Sequence, residues 1–284
     1  MTKKPNIKAQ IKDSGSCIKD VMQNGLANII GSMIAQIMGK SKGLPESQKM
    51  NAIKNIKPKG INQYKNDLLA AMAVVAADGL KQARKEVPKA SKVKLSGWSE
   101  ESLMMGEFES LPSKVKTRIY NQMQLLIGTQ VADVEKTLYF QYGHSVDSTD
   151  SDDQIEKDLT DAGAEYAEGS AIASGSSVCA AQVINEARSA FFFNDDTLDE
   201  IDAFQFVNAD PVSDICQDLA GTVFAKNDPN IDRYQPPLHF NCKSYIVPIL
   251  KGNLGDREIE DFKPSSKKLE DQIQFCEHFS NMSL

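Results

Sequence analysis

Residues 210–249 read DPVSDICQDLAGTVFAKNDPNIDRYQPPLHFNCKSYIVPI. The stretch holds Cys216 after a turn, a glycine ahead of an apolar run, the Pro236-Pro237 pair, and then His239 and Cys242 three residues apart. GTVFA (221–225) and YIVPI (245–249) are short apolar runs bounded by turn residues, the pattern of strands. Pro248 cannot donate to a ladder, so the second run is an edge strand or the end of one. Just upstream, FFFNDDTLDEIDAFQFVNAD passes from an aromatic cluster through an acidic turn to Phe204 and Phe206, whose alternation marks a third strand. A small α+β module with short hairpins is therefore expected over residues 191–251.

Everything before the module reads as helix. Residues 21–39, VMQNGLANIIGSMIAQIMG, carry no charge. Ile29, Ile30, Met33, Ile34 and Ile37 make one apolar face, and Gln23, Asn24, Asn28, Ser32, Gln36 and three glycines interrupt the run. A helix buried against the rest of the protein or a partner subunit fits this better than a surface-active or membrane-seated segment. Residues 40–60 are linker-like, broken by Gly43, Pro45, Pro58 and Gly60 into at most one short helix. From Asn62 an Ala- and Leu-rich run predicts a long helix stopped by Pro88.

Val115, Ile119, Met123, Leu126, Ile127, Val131, Val134 and Leu138 then recur at steps of three and four, predicting a helix over about 112–139. GHSVDSTDSDDQ is expected to close it, with Asp150 or Ser151 capping the next. That helix is expected from about 152 to 188, with a break near 174–177, where ASGSS is small and polar. The organisation is thus mainly α: an elongated helical bundle followed by the small module. The segments are a basic arm with one apolar helix (1–60), a helical body (61–190), the module (191–251), and a tail with a short helix near 266–279 (252–284).

A chain of 284 residues is long enough to bury a sizeable core. Its five cysteines lack disulfide-framework spacing, and no compact apolar leader with a cleavage site opens the sequence, so a reducing compartment is expected. The net charge of −7 conceals an asymmetry. Residues 1–97 hold 18 Lys and Arg against 6 Asp and Glu, a formal +12, whereas residues 98–284 hold 14 against 33, a formal −19. A basic first third attracts polyanions through a term independent of sequence. The amines that would serve are Lys40, Lys42, Lys54, Lys57 and Lys59, then Lys81, Arg84, Lys85, Lys89, Lys92 and Lys94.

Cys216, His239 and Cys242 are the right donors for zinc, and His-x2-Cys brings two into one turn. So small a module lacks the apolar mass to be rigid alone, and a metal would supply a cross-link. The fourth ligand would be Asp210 or Asp214, because serine stands at 213 and 244, where further thiolates would complete the set. The other reading leaves Cys216 and Cys242 packed as small hydrophobes, with His239 hydrogen-bonded across the turn. No HExxH, GxSxG, Walker or dinucleotide-binding run is present, so a Cys/His-dependent hydrolase is the least favoured reading and no catalytic residue is assigned.

The same residues carry a resemblance. Asp210, Cys216, Leu219, Gly221, Phe224, Pro236, Pro237, His239, Asn241 and Cys242 stand in the order and approximate spacing of the signature of the phage head morphogenesis family, the minor head proteins similar to protein F of phage Mu. Lys243 stands where that family usually has arginine, and Ser213, Ala220, Phe240 and Ser244 depart from its pattern. Asn185, Glu186 and Arg188 resemble the remnant of the polar helix that precedes the family motif. The resemblance covers about 177–250. It implies a structural protein of the virion, inside the capsid near the portal, present in the host cytoplasm during assembly. Its implied partners are portal, capsid or scaffold proteins, with packaged double-stranded DNA against the basic first third. A general interaction scaffold without DNA contact is the alternative.

Overall fold

The structure is a computed structural model that describes residues 7–209, 213–229, 231, 235–236, 238 and 242–260. Its helices are α1 (Ile7–Ser41), α2 (Glu46–Ala52), α3 (Ile61–Glu86), α4 (Glu100–Met104), α5 (Ser113–Asp147), α6 (Asp152–Glu168), α7 (Ser170–Phe192), α8 (Asp195–Leu198) and α9 (Asp214–Asp218). Its strands are β1 (Ile201–Val207), β2 (Val223–Ala225) and β3 (Tyr245–Leu250). The protein is mainly helical, with a small antiparallel sheet near the end. The helix expected near 266–279 lies outside the described residues.

Two compact units share the chain: Met1–Ser16, Leu69–Gln122 and Ser177–Leu284 form the first, Cys17–Leu68 and Met123–Ser176 the second. In the second unit, Ile29, Ile30, Met33, Ile34 and Ile37 of α1 are all buried, as their spacing predicts. No helix among the described residues is long and apolar enough to cross a membrane. Gln130 of α5, 4% exposed, joins three other helices. Its Oε1 accepts from Tyr64 Oη at 2.6 Å, its backbone carbonyl accepts from Tyr166 Oη at 3.3 Å, and its Nε2 points to Met22 Sδ at 3.8 Å. A buried amide satisfied in this way fixes the register of the helices it joins.

Two helix ends differ from the sequence expectation. α5 runs on to Asp147 because Tyr142, Ser145 and Val146 continue the buried stripe past Leu138, so GHSVD is helix and the loop begins after it. Ser151, one of the two expected caps, accepts from Gln154 N at 3.3 Å. The break between α6 and α7 falls at Gly169, not at 174–177. A Cβ at 169 would press on the carbonyls of Tyr166 and Glu165, at 3.1 and 3.2 Å. The small residues further on stay helical because Gly175 and Ser176 are buried, and the Ser176 hydroxyl donates to the Ala173 carbonyl at 2.8 Å.

Tyr142 has its hydroxyl buried with no hydrogen-bond partner among the described residues. Such a group carries its desolvation penalty uncompensated, so Tyr142→Phe is expected to hold or raise stability by about 1 kcal/mol. A thermal melt of the variant reads this directly, and a clear fall in Tm would mean that the hydroxyl is bonded.

The sheet belongs to the first unit and has the order β2-β1-β3, both pairs antiparallel. Phe204 lies opposite Phe224 and Pro248, and Phe206 opposite Ile246, so these side chains share one face. That face packs into a core with Phe191 and Phe192 of α7 and with Leu80, Ala83, Val87, Ala90 and Leu95. Ala203, Val223 and Ile249 form the other face, under Leu254. A register shift between Ile201 and Ala203 turns Ile201 back to the Phe204 face. α7 is buried on nearly all sides beyond Ser177, the mark of a central helix. α3 crosses it closely at Gly79, where a Cβ would lie 3.0 Å from the Ile184 carbonyl.

Candidate functional site

The site is built around the entry to β3. β3 lies at the edge of the sheet, as Pro248 requires, and its outer carbonyls would be open to pairing with another chain. They are closed by α7. Asn185 Nδ2 donates to the Ser244 carbonyl at 2.8 Å, and Arg188 Nη2 donates to the Ile246 carbonyl at 2.8 Å. Asn185 and Arg188 are three apart on the helix and so share a face. Glu186 is turned away from it, toward Arg118 of α5 at 3.3 Å. Of the three residues read as a remnant polar helix, two therefore hold the module.

Arg188 is held from every side. Glu86, at the end of α3, accepts from its Nε at 3.2 Å and its Nη2 at 2.7 Å, and the two side chains are 1% and 5% exposed. The guanidinium also sits 5.2 Å from the Phe192 ring centre and 5.4 Å from that of Tyr245. Two parallel N–H···O bonds are the strong form of this pair and spread the buried charge over both carboxylate oxygens. Burial pushes the Tyr245 hydroxyl pKa upward, with the Arg188 charge pulling the other way.

Cys216 of α9 and Cys242 before β3 meet in the same core. Their sulfurs are 3.6 Å apart, and both residues are 1% exposed. The contact with Cys242 and burial both push the Cys216 thiol upward, while hydrogen bonds from Ser244 and Ser213 pull the other way. Ser213 stands at the N-cap of α9 but its side chain caps no backbone amide. The Ser244 hydroxyl also donates to Asn208 Oδ1 at 3.5 Å.

A tetrahedral ion bound to both sulfurs at about 2.3 Å would set them about 3.8 Å apart, so the observed separation fits two corners of such a centre. His239 and Asp210 lie outside the described residues. Asp214 is exposed, because two positions along a helix point in different directions, and no group of three His, Cys, Asp or Glu side chains that could hold a metal forms among the described residues. A metal here would take Cys216 and Cys242 as thiolates and would act as a cross-link between α9 and β3.

The remaining motif positions are structural. Gly221 has φ +85°, a conformation that favours glycine, and its N–H donates to the Phe206 carbonyl at 3.0 Å. Phe224 and Pro236 are buried, whereas Pro237 and Asn241 lie outside the described residues. Alkylation at pH 8 is expected to label exposed Cys17 at once and to spare Cys216 and Cys242, together with Cys179, whose pKa burial raises to about 12. Peptide mapping before and after unfolding measures this, and prompt native labelling of Cys216 would contradict the packing described.

No family model, curated protein or solved structure matches the chain.

What sequence reasoning missed is Glu86. Its signal was present: it is the single acid in a run of six cations, KQARKEVPKASKVK, at residues 81–94. Arg84, read from the sequence as a polyanion contact, is half-buried and bonded within its own unit. Its Nη2 donates to the Val93 carbonyl at 3.1 Å, its Nη1 pairs with Glu100 at 3.1 Å, and its guanidinium lies 5.9 Å from the Phe191 ring centre.

Proposed function

We propose that this chain is a structural minor head protein of a tailed bacteriophage, held near the portal inside the capsid and acting in head assembly and in DNA packaging or delivery. The observation that carries the reading is that the residues behind the family resemblance act together. Cys216, Leu219, Phe224 and Cys242 share one core, Gly221 turns the chain into β2, and Asn185 with Arg188 closes the edge of β3. These positions lie from 185 to 242 in the sequence, so their convergence argues that the motif specifies one clasp. The Cys242 contact and burial push the Cys216 thiol upward, and both sulfurs are closed off from solvent, which favours a structural role for the pair over a nucleophilic one.

The test is isolation of assembled heads containing a tagged full-length chain, with the portal vertex purified from them. The chain is expected to co-purify with the portal vertex. Its absence from heads would overturn the reading. Elemental analysis of the same sample tests the clasp separately: zinc lost on Cys216→Ser and Cys242→Ser identifies a metal cross-link, and no zinc identifies a packed thiol pair.

A further inference from the structure

We infer that residues 81–94, the last turns of α3 and the turn that follows, form a contact surface for the phosphate backbone of double-stranded DNA. The inference deepens the head-protein reading, which supplies the source of the DNA. Lys81, Lys85, Lys89, Lys92 and Lys94 are all exposed. The acid among them, Glu86, is buried against Arg188 and contributes nothing outward. Arg84 ties the turn to the helix through the Val93 carbonyl, so the amines are presented on a fastened segment. Among the described residues Lys89 is the one of the five in an ion pair, with the half-buried Glu200 at 3.4 Å.

The chemistry of the surface selects its partner. Between Lys81 and Gly97 no exposed side chain is a large apolar one, because Ala83, Val87, Ala90 and Leu95 point into the core. A protein partner would want an aromatic or aliphatic anchor, and lysine is depleted at such interfaces. A single strand would want exposed aromatic rings for its bases to stack on. What the segment offers is exposed point charges with no apolar anchor beside them, which suits phosphates and reads no sequence.

The other basic cluster is a poorer candidate. In the second unit Lys42 faces Asp153 at 3.8 Å, while Lys49 and the Gly43 N–H both bond Asp152, at 2.7 and 2.8 Å. The first turn of α6 therefore neutralises part of that field.

The test uses the purified full chain and a random-sequence duplex of about 30 base pairs, with binding followed by fluorescence anisotropy at 50 to 300 mM salt, conditions chosen because the phosphate term is read from its salt dependence. Five contacts predict a slope of about −4.5 in log K against log salt. Changing Lys81, Lys85, Lys89, Lys92 and Lys94 together to Gln is expected to flatten that slope and weaken binding at least about 100-fold at low salt. The matching change at Lys40, Lys42, Lys54, Lys57 and Lys59, where Asp153 faces Lys42 and Asp152 lies beside the cluster, is expected to cost clearly less than the first. Circular dichroism checks that both variants fold. The inference is overturned if the full chain does not bind the duplex, if both variants lose equally, or if a single strand or an acidic peptide binds as tightly as the duplex. Because no portal or head is present, failure here leaves the head reading standing, and absence from heads would leave a measured duplex contact standing.

Discussion

Glu86→Ala lowers the unfolding free energy by about 3–5 kcal/mol, the expected cost of leaving one member of a buried ion pair without its partner. Arg188 would keep its bonds to the Ile246 carbonyl and, more weakly, to Asn185 Oδ1 at 3.5 Å, but its charge would stand uncompensated at 1% exposure. The mirror change, Arg188→Ala, is expected to cost as much and also to uncap the edge of β3. The double change Glu86→Leu with Arg188→Met removes both charges and keeps the volume, so it should cost far less than the sum of the singles. Trp98, the single tryptophan, packs against this core, so denaturant unfolding followed by its fluorescence reports on the right region. Additive single and double changes would show that Glu86 and Arg188 are not coupled.

Gly25→Ala and Gly31→Ala, six residues apart on α1, are expected to act in opposite directions. Helix propensity alone says that both should stabilise, by up to about 1 kcal/mol each. At Gly31 nothing lies within 4 Å of an added Cβ, so the gain should appear at about 0.4–1 kcal/mol. At Gly25 the Cβ would overlap one edge of the Tyr64 ring, with Cγ at 2.7 Å and Cε2 at 2.9 Å. Tyr64 is 1% exposed and its hydroxyl donates to Gln130, so it cannot swing away without breaking that bond. Overpacking of this kind costs about 1–3 kcal/mol, and loss of the hydrogen bond adds about 1 kcal/mol. Thermal melts by far-ultraviolet circular dichroism measure both. A Gly25→Ala protein as stable as Gly31→Ala would mean that Tyr64 does not occupy this place.

These two predictions mark where sequence reading stops. The three glycines of residues 21–39 look alike in the sequence, as interruptions of a helix, and only their neighbours distinguish them. The same holds for the cations of residues 81–94. Arg84 and Lys85 are adjacent and equally basic, yet one is bonded inside the unit and the other faces solvent, because the helix turns by about 100° between them. The pair Asn185 and Arg188 was visible as a motif, but Glu86 belongs to a helix that ends about 100 residues earlier, and no local pattern announces that contact.

By itself the sequence determined the mainly helical body, the apolar faces of α1 and α5, the three short strands and the edge position of β3. Each rests on spacing within a few residues: periods of 3.6 and 2, and a proline that cannot donate. Cys216 and Cys242 were singled out by their residue type, while the 3.6 Å approach of their sulfurs was decided by the tertiary structure. So were the break at Gly169, the partnership of Glu86 with Arg188, and the inclusion of residues 80–95 in the core of the sheet. These depend on which buried charge, hydroxyl or methyl finds a partner far away in the chain, and a buried polar group is stable only where such a partner has been placed.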